Sequence, residues 1–252
     1  MSAAADARLV ADIRTVAPLS NAERLAMFRL YETYYDATDL NLFLADLAAK
    51  THVVELRADG VLRGFSTIQR LDFDVDGQSN QAIFSGDTII DAEYWGEQAL
   101  VEAFCRFAGS VKARREDTPL FWFLISKGYR TYRYLDLFAH AYYPHHAQPT
   151  PPGIQQRMET LARARFGDAY DASTGLVRFE RSRGHLRQPW AAVRGNLQER
   201  HAAVRFFLER NPRFHAGDEM VCLTELSAMN LRSFARRAFL RGLNDPDGSA
   251  GA

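Results

Sequence analysis

A carboxylate and two phenols beside the most apolar runs are the side chains of this sequence that could move a proton. Asp87 falls late in an apolar run, A-I-F-S-G-D-T-I-I, spanning Ala82–Ile90. Tyr132 and Tyr134 open the helical stretch after a second apolar run, L-F-W-F-L-I-S, at Leu120–Ser126. A carboxylate so placed is a candidate general base, or it caps a turn and faces water. A tyrosine hydroxyl is a weak acid that can protonate a leaving group. Tyr134 shares helical spacing with Leu137, Phe138 and Ala141 and so also reads as core, which makes Tyr132 the better candidate. His52 and Glu55 lie on a short strand and take no assigned role. His145 and His146 are adjacent, share no helical face, and read as loop histidines rather than ligands. Cys105 and Cys222 are isolated thiols without metal or disulfide spacing, and Cys105 reads as a small core residue. No metal site is expected.

The elements that must position these groups follow from periodicity. Asp59-Gly60 and Asp76-Gly77 each separate β-rich runs, which predicts two consecutive hairpins between Thr51 and Ile90. Gly86, inside the third strand, predicts a bulge or a close backbone approach. After Ile90 the period becomes helical, with Leu100, Ala103, Phe104 and Phe107 on one face. Pro119 then opens a strand buried on both faces, and the next helix ends before Pro144. Upstream, S-N-A-E places Glu23 three residues after Ser20, a capping box for a first helix. A second helix follows Thr38-Asp39, with Leu40, Phe43, Leu44 and Leu47 on its apolar face.

This order of elements resembles the GCN5-related N-acetyltransferase (GNAT) superfamily, in which two helices precede the hairpins and a strand–turn–helix junction holds the acyl donor. The stretch G-V-L-R-G-F-S-T-I is similar to the family's third-strand sequence. The resemblance implies an α+β fold with a mixed, mostly antiparallel sheet flanked by helices, here with a C-terminal helical and strand extension. It implies N-acyl transfer from an acyl thioester to the amine of a small molecule, or else a non-catalytic GNAT-like binding module. Its donor site falls on Ile89, Ile90, Asp91, Trp95, Gly96, Glu97 and Gln98, with Asp91 capping the helix or the turn. The family's glycine pattern at that junction departs here. Trp95 overlays the Gln/Arg position, Gln98 the first required glycine, and Leu100 the second small residue. Large side chains there would crowd a pyrophosphate, which favours a carrier-bound or long-chain donor over free CoA. In this reading Asp87 is the base, and Tyr132 or Tyr134 protonates the departing thiolate. The co-substrate is acyl-CoA or acyl-phosphopantetheine, and no cofactor is tightly held.

The 31 basic and 31 acidic side chains cancel, but unevenly along the chain. Residues 1–111 carry 9 basic and 17 acidic groups, a net of −8, and residues 112–252 carry 22 and 14, a net of +8. Nine arginines fall between Arg178 and Arg213. A basic half suits an anionic partner such as a nucleotide or an acidic acyl carrier protein, and it equally describes a solvated helical surface. Lys112, Arg114 and Arg115 are the expected carrier contact, or an ordinary surface loop. A pI of 7.1 and the absence of a nucleic-acid-binding motif argue against DNA or RNA. No apolar run reaches membrane-span length and no signal peptide opens the chain, so a cytoplasmic protein is expected. The expected organisation is a tail over 1–19, a core over 20–144 and a Pro-rich linker over 145–153. Residues 154–242 then form an appended lobe or complete the sheet, and 243–252 form a disordered tail.

Overall fold

The computed structural model describes residues 8–180, 183–188, 190 and 197–248. Its first elements are β1 (Val10–Thr15), α1 (Asn21–Tyr34), β2 (Tyr35–Asp36) and α2 (Leu40–Ala48). The Ser20 hydroxyl accepts from the Glu23 amide at 3.3 Å, and the Glu23 carboxylate accepts from the Ser20 amide at 2.7 Å, completing the capping box. Asp39 caps α2 through the Leu42 amide at 2.9 Å. The two hairpins link β3 (His52–Ala58), β4 (Val61–Val75) and β5 (Gln78–Ile90). Their turns place Asp59, Gly60, Asp76 and Gly77 all at positive φ, between 50° and 76°. Paired left-handed residues give the tight turn whose twist matches that of the strands.

A short 3₁₀ turn at Ala92–Tyr94 leads to α3 (Ala99–Ala113), β6 (Leu120–Ser126) and α4 (Tyr129–Phe138). The remaining elements are α5 (Pro152–Phe166), β7 (Tyr170–Asp171), β8 (Leu176–Val177), β9 (His185–Leu186), α6 (Leu197–Arg200), α7 (Ala202–Arg210), β10 (Glu219–Glu225) and α8 (Ser233–Asn244). The stretch 191–209, polar with scattered apolar residues, reads as a helix from its sequence; it contains α6 and most of α7, and residues 191–196 lie outside the described residues.

One eight-stranded sheet runs in the order β1-β3-β4-β5-β6-β10-β8-β7. Every pairing in it is antiparallel except β5 with β6. One face packs against α3, α4, α7 and α8; the other carries α5 at one end and α1 with α2 at the other. The chain therefore has an α+β fold with a mixed, mostly antiparallel sheet flanked by helices, and β10 completes the sheet beside β6.

Two boundaries, at the two ends of the chain, differ from the sequence expectation. Val10–Thr15 is not tail but the edge strand of the sheet, paired with β3 forty residues on. Its polar side chains hide it locally; Arg14, for example, reaches Glu23 at 2.5 Å and Glu55 at 3.5 Å. Residues 154–242 follow the second of their two expected alternatives: they complete the sheet and supply part of its covering layers. At the C-terminus, residues 245–248 fold back on α3, where Arg106 donates to the Gly248 carbonyl at 2.8 Å; residues 249–252, like residues 1–7 of the expected N-terminal tail, lie outside the described residues. Helices α3 and α8 touch backbone to backbone, because a Cβ on Gly109 would overlap Phe239 O and one on Gly242 would overlap Arg106 O. This contact fixes the helix whose first turn borders the site.

Candidate active site

The parallel strands β5 and β6 separate part-way along. Gln81–Ser85 lie beside Leu120–Leu124, and the pairing ends there. On the other side of β5 the register to β4 also breaks, with Ile68 opposite Ser85 and Ser66 opposite Thr88. Gly86 and Asp87 thus face Thr67 alone, a β-bulge of the kind that re-aims side chains beside active sites. Any larger residue at position 86 would displace its neighbours, since a Cβ there would stand 2.5 Å from Thr67 Oγ1 and 2.9 Å from Lys50 Cε. Beyond Ser85 the β6-side backbone of β5 faces a gap.

Two cavities meet at this gap. The first, of 430 Å³, passes through the sheet: Leu100, Phe104 and Trp122 line it on one face, and Phe43, Phe166 and Phe179 on the other. The second, of 560 Å³, lies between the start of α3 and α4. Tyr35, Thr88, Lys127, Thr131 and Tyr134 border both.

The polar end of the first cavity holds Asp87, Lys127 and Glu219. Lys127 Nζ lies 3.5 Å from Glu219 Oε1, donates to the Arg183 carbonyl at 3.3 Å, and sits 5.4 Å from the Tyr35 ring centre. Asp87 makes no ion pair or side-chain hydrogen bond with another described residue. Burial pushes the Asp87 and Glu219 carboxyls above the usual carboxylate range, with Lys127 offsetting part of the shift. Burial alone would lower the Lys127 pKa, but Glu219, Tyr35 and Asp87 outweigh it and hold the ammonium charged. Asp87 is half-exposed to the cavity itself yet deep within the protein mass, so water can reach a carboxylate that bulk solvent barely screens. A carboxylate of raised proton affinity facing a cavity is a stronger base than an ordinary one.

Tyr134 also faces the junction, and burial raises its pKa despite the opposing charge of Arg130, so it stays protonated and able to donate. Tyr132, preferred on sequence, is a correction. It is fully buried, its hydroxyl donates to the Pro144 carbonyl at 2.8 Å, and its ring packs among Tyr142, Phe206 and Phe207. It borders neither cavity. Helical rotation explains the swap: two positions along α4 lie on opposite sides of the helix, and the core-like stripe is the side turned to the gap.

The second cavity gathers Ile89, Ile90, Trp95, Gly96, Glu97 and Gln98 from the expected donor set. Asp91 does not join them. It accepts from the Tyr34 hydroxyl at 3.0 Å and pairs with Arg63 at 3.3 Å, and its side chain caps no helix. Leu100 lines the first cavity and not the second, so it does not crowd the start of α3. The first-turn amides of α3 are the kind a helix leaves for an anion. Arg130 and Arg133, from α4, border the same cavity, and the Arg130 guanidinium lies 4.2 Å over the Trp95 ring.

The expected carrier contact sits elsewhere. Lys112, Arg114 and Arg115 lie at the far end of α3, about 20 Å from its first turn at 1.5 Å per residue. Lys112 donates to the Thr118 carbonyl at 2.8 Å, Arg115 pairs with Asp72 at 2.5 Å, and Arg114 reaches Asp247 at 4.0 Å. His52 packs on Phe107, and Glu55 is held by Arg14 and Arg57; neither borders these two cavities. Sequence reasoning passed over Lys127, Glu219, Arg130, Arg133 and Arg183. The one local signal was Lys127 itself, a charged residue directly after a strand apolar throughout.

No family model matches the chain, and no curated protein matches it. Among solved structures it is similar to a probable N-acyltransferase from Enterococcus faecalis at 14% identity and a TM-score of 0.39. That match covers 53% of this chain and 33% of the other, so this chain spans only a third of that protein's length. It is also similar to the GNAT-family N-acetyltransferase YhbS from Escherichia coli, solved with CoA, at 18% identity and a TM-score of 0.37, covering 60% and 80%. A third likeness is to an acyl-CoA N-acyltransferase from Pseudomonas aeruginosa, at 17% identity, a TM-score of 0.34 and coverage of 46% and 78%.

Proposed function

We propose that the protein is an N-acyltransferase working at the gap between β5 and β6. The observation that carries this reading is the meeting of two cavities where the parallel strands part, with Tyr134 bordering both and Asp87 lining the first. The donor, an acyl thioester of CoA or of a phosphopantetheine arm, lies in the second cavity. Its phosphates face the first turn of α3 with Arg130 and Arg133, and its thioester reaches the gap. The acceptor amine enters from the first cavity. The amine nitrogen attacks the thioester carbonyl, the C–N bond forms and the C–S bond breaks. Asp87, directly or through water, takes the proton the nitrogen loses, and Tyr134 supplies one to the departing thiolate. The products are an amide and a free thiol. Leu100 is turned inward, while Trp95 and Gln98 still border the donor cavity at the start of α3, so CoA and a carrier-bound arm both remain donors to test.

The test is thiol release from a panel of acyl-CoAs and acyl carrier proteins, with and without a mixture of primary amines. Amine-dependent release is the expected result. No release from any donor by folded protein would leave a GNAT-like binding module as the better reading.

A further inference from the structure

The polar end of the first cavity contains more charge than proton transfer requires, and most of it is already matched. Asp46 is bonded to both Lys50 and Arg165, the latter at 3.1 Å. Glu219 is paired with Lys127. Asp39 is used as the cap of α2. Two charges of opposite sign remain without an ion-pair partner among the described residues: the Asp87 carboxylate and the Arg183 guanidinium, and both line the cavity.

Arg183 is placed there by construction. Its carbonyl accepts from Lys127 Nζ and from the Tyr31 hydroxyl, each at 3.3 Å, which holds this stretch of chain over the cavity. Strand β9, two residues on, pairs with β2 and fixes the same stretch from the other side, with Arg187 bonded to Asp36 at 3.0 Å. The Arg183 guanidinium lies 4.1 Å over the Phe179 ring, a surface that orients a planar cation while leaving its N–H groups free. Arg165 lies near enough to be affected by its charge, so positive potential gathers on this wall of the cavity.

A lone carboxylate and a lone guanidinium in one cavity complement a molecule carrying both an ammonium and an anion. We infer that the acceptor is a zwitterion of the amino-acid type: its amine is presented to Asp87, and its carboxylate is bound by Arg183, in the fork geometry that guanidinium and carboxylate share. This rests on the acyl-transfer reading and specifies its acceptor. A phosphate-bearing amine would use the same two groups, and the test separates the two.

The experiment offers wild-type protein a pool of α-amino acids, the matching amino-acid amides, the matching decarboxylated amines, and O-phosphoethanolamine, and measures kcat/KM for each by thiol release. Binding of the same compounds is followed by calorimetry without donor. The expected result is a preference of at least tenfold for the amino acid over both its amide and its amine, seen mainly in KM. Because Arg183 is exposed, its variants should fold, which circular dichroism would check. Arg183→Gln should bring the preference close to parity, Arg183→Lys should restore part of it, and Arg183→Glu should invert it. A stronger preference for the phosphate compound, equally dependent on Arg183, would overturn the amino-acid assignment. Equal use of acid, amide and amine would overturn the inference while leaving acyl transfer intact. Arg183-dependent binding of amino acids without thiol release from any donor would overturn the acceptor role together with the enzymatic reading, leaving an amino-acid-binding cavity.

Discussion

Lys127 Nζ and Glu219 Oε1 stand 3.5 Å apart across the neighbouring strands β6 and β10, beside the point where β6 parts from β5. Ninety-two positions separate them in sequence, so the site is assembled from both halves of the chain. Asp87 lies at the same end of the cavity without an ion pair of its own. Burial raises the proton affinity of both carboxylates, and the charge of Lys127 offsets only part of it.

Asp87→Asn should fold and lose roughly 10²–10⁴-fold in turnover, the usual worth of a positioned base. The acid limb of the wild-type pH–rate profile should lie above the ordinary carboxylate range. Lys127→Met should move it higher still, because it removes the charge that opposes the shift. Stability follows the same sign. Between the unfolded carboxylate pKa, about 4, and the raised folded value, the folded protein binds more protons than the unfolded chain. Stability therefore falls as pH rises through that window. Thermal melts across pH should show that fall in wild type and a smaller one in Asp87→Asn. A flat profile in wild type would contradict the buried, poorly compensated carboxylates.

The two tyrosines of α4 should separate cleanly. Tyr134→Phe should cost about 10²-fold or more in turnover with little change in stability. Tyr132→Phe should retain turnover and lose about 1 kcal/mol of stability, because its hydroxyl is spent on the Pro144 carbonyl. Steady-state kinetics and denaturant melts on both variants decide the assignment, and the reverse pattern would restore Tyr132.

Much of the fold was legible because its signals are local. Asp-Gly pairs write the hairpins, Ser20 and Glu23 write a cap, and an apolar run after Pro119 writes a buried strand. Gly86 marked the bulge for the same reason. The site was legible only where one element supplies it, as with Asp87 or the loop from Trp95 to Gln98. Glu219 and Arg183 escaped notice because nothing near them in sequence is unusual; strand pairing and the β2–β9 contact bring them in. Edge strand β1 was missed likewise, its identity resting on β3. Tyr132 was preferred over Tyr134 because helical periodicity shows which residues share a face, not which face meets the core.

On the donor side, Arg130→Ala and Arg133→Ala should each raise KM for an acyl-CoA several-fold, with a salt dependence weaker than in wild type, since surface phosphate contacts are screened within about 10 Å at 0.1 M salt. Replacing Lys112, Arg114 and Arg115 together should leave the kinetics with acyl-CoA and with acyl carrier protein unaltered. A selective loss with the carrier would reinstate that patch as its docking site.

Gly86→Ala forces a Cβ toward Thr67 and Lys50, an overpacking that typically costs about 1–3 kcal/mol. Turnover should fall along with stability, because the bulge that aims Asp87 must shift. Pairing the change with Thr67→Ala should recover part of both, and a double mutant no better than Gly86→Ala alone would show that the clash is not with Thr67.

The most direct test of acyl transfer at the parted strands is a crystal structure with a non-cleavable acyl-CoA analogue. The carbonyl of the analogue should lie in the gap beyond Ser85 and Leu124, between Asp87 and Tyr134, with its phosphates against the first turn of α3, Arg130 and Arg133. An analogue bound anywhere else, with the gap between β5 and β6 left to solvent, would contradict the account.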